Sequence, residues 1–109
     1  PVLEADATPF DIITSIIEAM KISKNIAFIH YDDNITENFS NIINIFNINL
    51  KEYYYSNVQE IEQWVYDAYR DKNEVVVCGY SYIEDMCKKL GLASVMYSTS
   101  NYALKEILS

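Results

Sequence analysis

The sequence is poor in the residues that build disulfide scaffolds, metal clusters and phosphate-binding loops. Its 109 residues include two cysteines, two glycines, two prolines and one histidine. Two cysteines are too few for a disulfide framework, and their separation fits neither a CxxC redox pair nor paired zinc-ligand doublets. A single histidine without a nearby cysteine pair does not provide a metal site. We therefore expect neither a bound metal nor a cofactor.

Positive charge and long apolar runs are also scarce. Lys and Arg number 8 against 16 Asp and Glu, which gives a formal net charge of -8. This balance repels phosphate backbones and anionic lipid surfaces, so we expect no direct contact with nucleic acid and no membrane partner. No apolar stretch approaches the roughly 20 residues that span a bilayer, and no signal peptide is recognisable. The sequence favours a cytoplasmic protein.

Catalytic motifs are missing as well. The chain has no Ser-His-Asp order and no glycine-rich loop of the G-x-x-x-x-G-K-[ST] or G-x-G-x-x-G type. Asp32 and Asp33 are similar to the acidic pair of receiver domains, but a receiver needs a phosphoacceptor Asp where this sequence has Cys78 and Gly79. The two acids are better suited to capping the next helix. We expect no enzymatic activity.

The sequence does have a regular alternation of helical and strand-like apolar periods. Helices are predicted to begin near Pro9, Asn34, Asn57, Ser81 and Ser100, the last ending near Leu108. Strands are predicted at residues 26–29, 50–55, 75–78 and 93–97. The first helix is expected to bury one stripe, formed by Ile12, Ile13, Ile16, Ile17 and Met20. The third is expected to bury Val58, Ile61, Val65 and Ala68, with Asn57 and Glu60 as its cap.

This alternation predicts an α/β fold with helices on both faces of one mostly parallel, four-stranded sheet. Lys51 and Glu52 make the second strand more polar than the others, which is typical of a strand at a sheet edge. The apolar strands at 26–29 and 75–78 suit the middle, and right-handed crossovers then favour the order 2-1-3-4. The result is a flavodoxin-like or periplasmic-binding-protein-like lobe, with a possible extra N-terminal strand. Residues 1–109 form one domain, and the opening Pro1 suggests a piece of a longer chain.

Small ligands of such sheets bind beyond the carboxyl ends of the strands, where the winding direction reverses. In the predicted order this point lies between His30-Tyr31 and Gly79-Tyr80-Ser81. Gly79 permits close approach of an anion to the next amides, but a tight turn alone also selects glycine. His30 is either a cleft-lining group or a packed strand end, and we favour the cleft.

Three further features of the sequence have local explanations. Ser81 and Glu84 have the spacing of a capping box, which satisfies helix amides without a ligand. Cys78 ends a buried strand and Cys87 lies on a core stripe, so both are expected to pack as small apolar groups. The tyrosines at 53–55 fit either an interface or an ordinary exposed edge.

Several segments together resemble the N-terminal sensor domain of propionate-catabolism-type activators, which are sigma-54-dependent transcription regulators. They are Phe10-Asp11-Ile12-Ile13, Asn25-Ile26-Ala27-Phe28-Ile29-His30-Tyr31, Val76-Val77-Cys78-Gly79, Ile83-Glu84-Asp85-Met86-Cys87 and Gly91-Leu92. The resemblance covers nearly the whole chain. It implies a sensor of two α/β lobes around a cleft for a small organic acid, followed by an AAA+ ATPase and a helix-turn-helix. This chain is similar to the second lobe.

The resemblance also implies site residues and partners. Gly79 matches the glycine after the third strand, and Ser98-Thr99-Ser100 match a serine-containing stretch at the cleft edge. Tyr80 departs from the small residues usual there and would narrow the pocket, so the effector need not be a propionate-pathway acid. The implied partners are the effector, the other lobe and the AAA+ domain. The alternative is an oligomerisation or docking module, including a homodimer, that binds no ligand.

Overall fold

The computed structural model describes residues 9–31 and 44–97. In chain order the elements are α1 Pro9–Met20, β1 Asn25–His30, β2 Asn49–Tyr54, α2 Gln59–Arg70, β3 Val75–Cys78, α3 Ser81–Leu90 and β4 Ala93–Met96. The predicted helix from Asn34 is described only at residues 44–46, which are helical. The possible N-terminal strand, the acidic pair and the final helix lie outside the described residues.

The four strands form one parallel sheet in the order β2-β1-β3-β4, which confirms the predicted α/β fold and strand order. Every residue of β3 is buried, as are Ile26 to His30 of β1, because helices cover both faces of the central strands. The edge strand β2 instead exposes Lys51 and Glu52. Polar edge positions of this kind discourage pairing with a further strand.

The alternation of side chains along the strands builds two separate cores. On one face, α1 packs over Ile26 and Phe28 of β1 and Val75 and Val77 of β3. On the other face, α2 and α3 contribute Ile61, Val65, Ile83 and Cys87 to a cluster that also contains Ala27, Ile29, Val76 and Cys78. Burying one large apolar side chain contributes about 1.5–3 kcal/mol relative to leaving it exposed. The fold therefore depends on both faces.

Two details of the predicted helix faces are wrong. Ile17 is 41% exposed, and the buried stripe of α1 consists of Ile12, Ile16 and Ala19. These three positions are spaced by four and three residues, so they align along the helix, whereas Ile17 lies about 100° round from Ile16. Val58 is 54% exposed because it precedes Gln59, the first residue of α2, and so lies ahead of the helix face that packs on the sheet.

The predicted helix ends are partly confirmed. Asn57 and Glu60 make the reciprocal bonds of a capping box: the Glu60 amide donates to Asn57 Oδ1 and the Asn57 amide to Glu60 Oε1, at 3.2 and 3.3 Å. Gly91 ends α3 with a left-handed φ of 73°. Its amide donates to the Lys88 carbonyl and that of Leu92 to the Cys87 carbonyl, which is the Schellman arrangement. This turn feeds the chain directly into β4.

Candidate functional site at the carboxyl edge of the sheet

The strand order places the reversal of winding between β1 and β3, where the sequence predicted it. The register fixes which side chains meet there. Phe28 lies opposite Val77, so three residues further on Tyr31 comes opposite Tyr80. His30 lies opposite Tyr54, so Tyr31 is also level with Tyr55. The carboxyl edge thus carries its side chains in two rows, one on each face of the sheet.

The row on the α1 face is filled by packed aromatic rings. His30 is only 2% exposed and stacks on Phe28, with ring centroids 4.3 Å apart and planes 21° from parallel. Tyr54 meets the His30 ring edge-on at 5.9 Å, and Tyr97 meets Phe28 in the same way at 6.3 Å. The structure therefore places His30 as a packed strand end.

Gly79 belongs to this row and has a structural reason to be glycine. A Cβ built on it would lie 2.6 Å from Cζ and 2.9 Å from Oη of Tyr97. The Tyr97 amide donates to the Cys78 carbonyl at 2.9 Å, which holds the end of β4 beside this turn. Since Gly79 is not among the positive-φ glycines, the close approach of Tyr97 is what requires its missing side chain.

The row on the opposite face is formed by Tyr55, Tyr31 and Tyr80; we call it the tyrosine row. Tyr55 is 5% exposed, whereas Tyr31 and Tyr80 are half-buried and pack against the core beneath. The rings of Tyr31 and Tyr55 are 6.2 Å apart, and Tyr80 lies 5.9 Å from Tyr82 in the first turn of α3. Tyr31 and Tyr80 flank the switch point from the two central strands.

The predicted capping box at Ser81 is wrong. Helix α3 begins at Ser81 itself, and the N-cap is Tyr80, whose extended backbone makes no side-chain cap hydrogen bond. The amides of Ile83 and Glu84 donate to the Tyr80 carbonyl at 3.0 and 3.4 Å. The first amides of a helix have no intrahelical acceptor, so those of Ser81 and Tyr82 open onto the carboxyl edge beside the exposed Ser81 side chain.

The two cysteines pack in the core, as predicted. Both are fully buried free thiols, and Cys78 Sγ lies 3.9 Å from the Tyr80 carbonyl. Burial, with a smaller contribution from the charge of Glu84, raises the pKa of Cys87 to about 12. A thiol of that pKa is protonated at neutral pH, and the protonated form is a poor nucleophile.

Within residues 9–31 and 44–97, no three metal-ligating side chains come together. Over the same residues, no helix has the length and apolarity to cross a bilayer. Of the predicted site residues, the structure brings His30, Tyr31, Gly79, Tyr80 and Ser81 to one edge. Ser98 and Ser100 lie outside the described residues.

The opposite, amino edge of the sheet carries a polar network that sequence reasoning missed. Asp71, just after α2, accepts hydrogen bonds from Lys51 Nζ at 2.8 Å and from Tyr53 Oη at 2.7 Å. Buried Asn73 donates to Tyr53 Oη and to the Ala68 carbonyl, both at 3.0 Å. Burial first, and the hydrogen bond to Asp71 next, raise the pKa of Tyr53 above its ordinary value.

This network borders an open groove of about 570 Å³ between the starts of β1 and β2 and the turn after α2. Its polar groups largely satisfy one another. Asn49 donates to Asn25, and Asn25 donates to Glu74, at 2.9 and 3.2 Å. These hydrogen bonds join residues up to 49 positions apart, so no local sequence motif predicts them. We assign this edge a structural role.

The described residues form a parallel α/β lobe whose carboxyl edge carries packed aromatic rings on both sides of the switch point. The chain matches the propionate catabolism activator family over residues 1–109 and belongs to it. The match covers all predicted segments of the resemblance.

A solved structure has the same fold. It is described as an NtrC family transcriptional regulator from Clostridium acetobutylicum, and it superposes with a TM-score of 0.77 at 22% sequence identity. The superposition covers 91% of this chain and 52% of that one, so the chain spans about half the length of the solved regulator. No curated protein matches the chain.

Proposed function

We propose that this chain is an effector-sensing lobe of a sigma-54-dependent transcriptional activator and that it binds a small organic acid at the carboxyl edge. The observation that carries the proposal is the position of the tyrosine row and the start of α3 on either side of the switch point. Membership of the propionate catabolism activator family supports a regulatory role. On this proposal the lobe is cytoplasmic and acts by binding, not by catalysis.

The bound acid would interact with the open amides of Ser81 and Tyr82, since helix N-termini favour negative charge. The partial match in length to the solved regulator suggests that a second lobe completes the cleft. Binding between two lobes changes their relative position, and this change would set the activity of an AAA+ ATPase and a DNA-binding domain further along the chain. The acidic lobe itself would not contact DNA.

The test is calorimetric or NMR titration of the full-length protein that contains this chain with short mono-, di- and tricarboxylates. Replacing Ser81 by Leu should weaken binding at least tenfold, which is about 1.4 kcal/mol. Gln63→Leu, on the exposed side of α2, is the matched control and should leave affinity unchanged. If no small carboxylate binds, or if Ser81→Leu binds as well as the parent, the sensing proposal is wrong.

A docking or homodimeric role is the second candidate, and strand β4 favours it. In contrast to β2, this edge strand carries no charged side chain, and Met96 is 41% exposed. Sedimentation velocity over a concentration series would test the role, since Met96→Lys should weaken association through this edge. A strictly monomeric profile at high concentration would remove the homodimer from consideration.

A further inference from the structure

We propose that the acid recognised at this edge carries a planar aromatic ring, so that its class is the aryl carboxylates rather than short aliphatic acids. This inference rests on the proposed sensing function and adds the chemistry of the ligand's body. It is carried by the tyrosine row, whose three members follow the ends of three adjacent, paired strands.

The register explains why these side chains form one surface. Parallel neighbours lie about 4.8 Å apart, and level residues of adjacent strands project to the same face of a sheet. Tyr55, Tyr31 and Tyr80 therefore stand side by side beyond the ends of β2, β1 and β3. Tyr55 is buried in the core, while Tyr31 and Tyr80 are only partly buried. The result is an aromatic surface beside the switch point.

Among the described residues, the α1 face is filled at the switch point. His30 is covered by Phe28 and Tyr54, and the space above Gly79 is occupied by the ring of Tyr97. On the opposite face, the described side chains that border the switch point are the partly buried rings of Tyr31 and Tyr80.

These rings favour a flat, apolar partner over a short aliphatic chain. Aromatic faces attract one another in offset and edge-on arrangements, and a planar ring makes far more contact with them than a two- or three-carbon chain. A highly charged di- or tricarboxylate would have to lose water against the tyrosine faces, and no described Lys or Arg is next to these tyrosines in the sequence. The surface thus selects for a ring and tolerates one carboxylate.

Tyr80 is the residue that tests the idea most cleanly. Its backbone is the N-cap of α3, but its side chain makes no capping hydrogen bond, so replacing the ring leaves the helix start intact. Tyr66, 45% exposed on α2, is a matched tyrosine away from this edge. The two changes remove equal side chains, one from the tyrosine row and one from an ordinary surface.

The experiment titrates the full-length protein with benzoate, phenylacetate, cyclohexanecarboxylate, propionate, citrate and benzyl alcohol, followed by calorimetry and by tyrosine ring shifts in NMR. We expect the aryl carboxylates to bind at least tenfold more tightly than propionate or citrate. Tyr80→Leu should abolish that preference, Tyr80→Phe should keep it, and Tyr66→Leu should change nothing. Tyr31→Leu is the second variant if Tyr80→Leu does not fold.

The outcomes separate this inference from the function on which it rests. If propionate or citrate binds as tightly as benzoate, and Tyr80→Leu has no effect, the aromatic class is wrong and acid sensing stands. If benzyl alcohol binds as tightly as benzoate, recognition of an aromatic ring is supported and recognition of a carboxylate is wrong. If none of the six compounds binds, both proposals fail.

Discussion

Tyr97 occupies the space that a side chain at Gly79 would need, although the two residues belong to different strand ends. The Tyr97 ring leans over the glycine and reaches the core at Phe28. Gly79 is thus a packing partner of Tyr97, and the turn between β3 and α3 is fixed by a residue of the next strand. This relationship fills the α1 side of the turn with the ring of Tyr97.

Gly79→Ala should therefore destabilise the protein by about 1–3 kcal/mol, since overpacking forces the neighbouring ring or backbone to move. In the double variant, Tyr97→Leu should recover part of that cost. Urea unfolding of the parent, the two single variants and the double variant gives the interaction energy between residues 79 and 97. Gly91→Ala is the control: its φ of 73° strains the backbone, but nothing lies within 4 Å of the new Cβ. Its cost should not depend on Tyr97. Additive effects of Gly79→Ala and Tyr97→Leu would contradict the packing relationship.

The thiols of Cys78 and Cys87 should resist a disulfide-forming reagent while the protein is folded. Both are fully buried, and the pKa of Cys87, raised to about 12 by burial, keeps it protonated. Labelling should stay negligible from pH 7 to 9 and reach two thiols per chain only in urea. Rapid labelling of either cysteine without denaturant would show that the core is more open than described.

Asn73→Ala should cost about 1–3 kcal/mol, because it removes the two buried hydrogen bonds that the Asn73 side chain donates, each worth about 0.5–1.5 kcal/mol. The Ala68 carbonyl keeps the Asn73 backbone amide as a donor, and the Tyr53 hydroxyl keeps its bond to Asp71. Chemical denaturation measures the change. The control is Gln63→Ala, which removes an exposed hydrogen bond to Asp67 and should shift stability by no more than about 0.5 kcal/mol. Equal effects of the two variants would mean that the network at the amino edge contributes nothing beyond a surface contact.

Asp71 should make stability depend on acid pH. Hydrogen bonds from Lys51 and then Tyr53 hold the pKa of Asp71 below its ordinary value. The fold therefore favours the charged carboxylate, and its contribution is complete above the unfolded pKa of about 3.9 and is lost as pH falls through the lower folded pKa. The stability difference between parent and Asp71→Asn should be present at pH 7 and shrink below about pH 4.

The control for this pH series is Glu62→Gln on α2, since no hydrogen bond or ion pair of Glu62 appears in the described part of the chain. Its difference from the parent should be small and flat across the same range. A parallel loss for Asp71→Asn and Glu62→Gln would assign the acid sensitivity to overall charge rather than to the contacts of Asp71.

The fold could be predicted because its determinants are local or follow general rules. The apolar runs of β1 and β3 mark central strands, and Lys51 and Glu52 mark an edge, so only a few topologies remain. Val58 shows the limit of such patterns. Its spacing suits a buried helix face, yet the helix begins after it. Local periodicity does not fix the first residue of a helix, which depends on the capping bonds of its neighbours.

The position of the switch point could be predicted from the strand order, but the packing of the side chains around it could not. Ser81 and Glu84 have capping-box spacing, but the pattern does not reveal that Ser81 is already helical. The reason for Gly79 was hidden because Tyr97 reaches it only through the pairing of β3 with β4. The tyrosine row likewise depends on the strand register, which brings Tyr31 level with Tyr55 and Tyr80. These residues are 24 and 49 positions further along the chain, so no local pattern predicts that they lie together.

The hydrogen-bonded side chains of Asn49, Asn25 and Glu74 make one edge of the sheet chemically different from the other. Amide and carboxylate groups close one end of the sheet by bonding to one another, whereas rings close the other. An interface that excludes water from the polar end buries groups that would lose hydrogen bonds to water. An interface at the aromatic end removes apolar surface from water, which is favourable. A neighbouring part of a larger protein would therefore pack more easily against the aromatic end of the sheet than against the amide end.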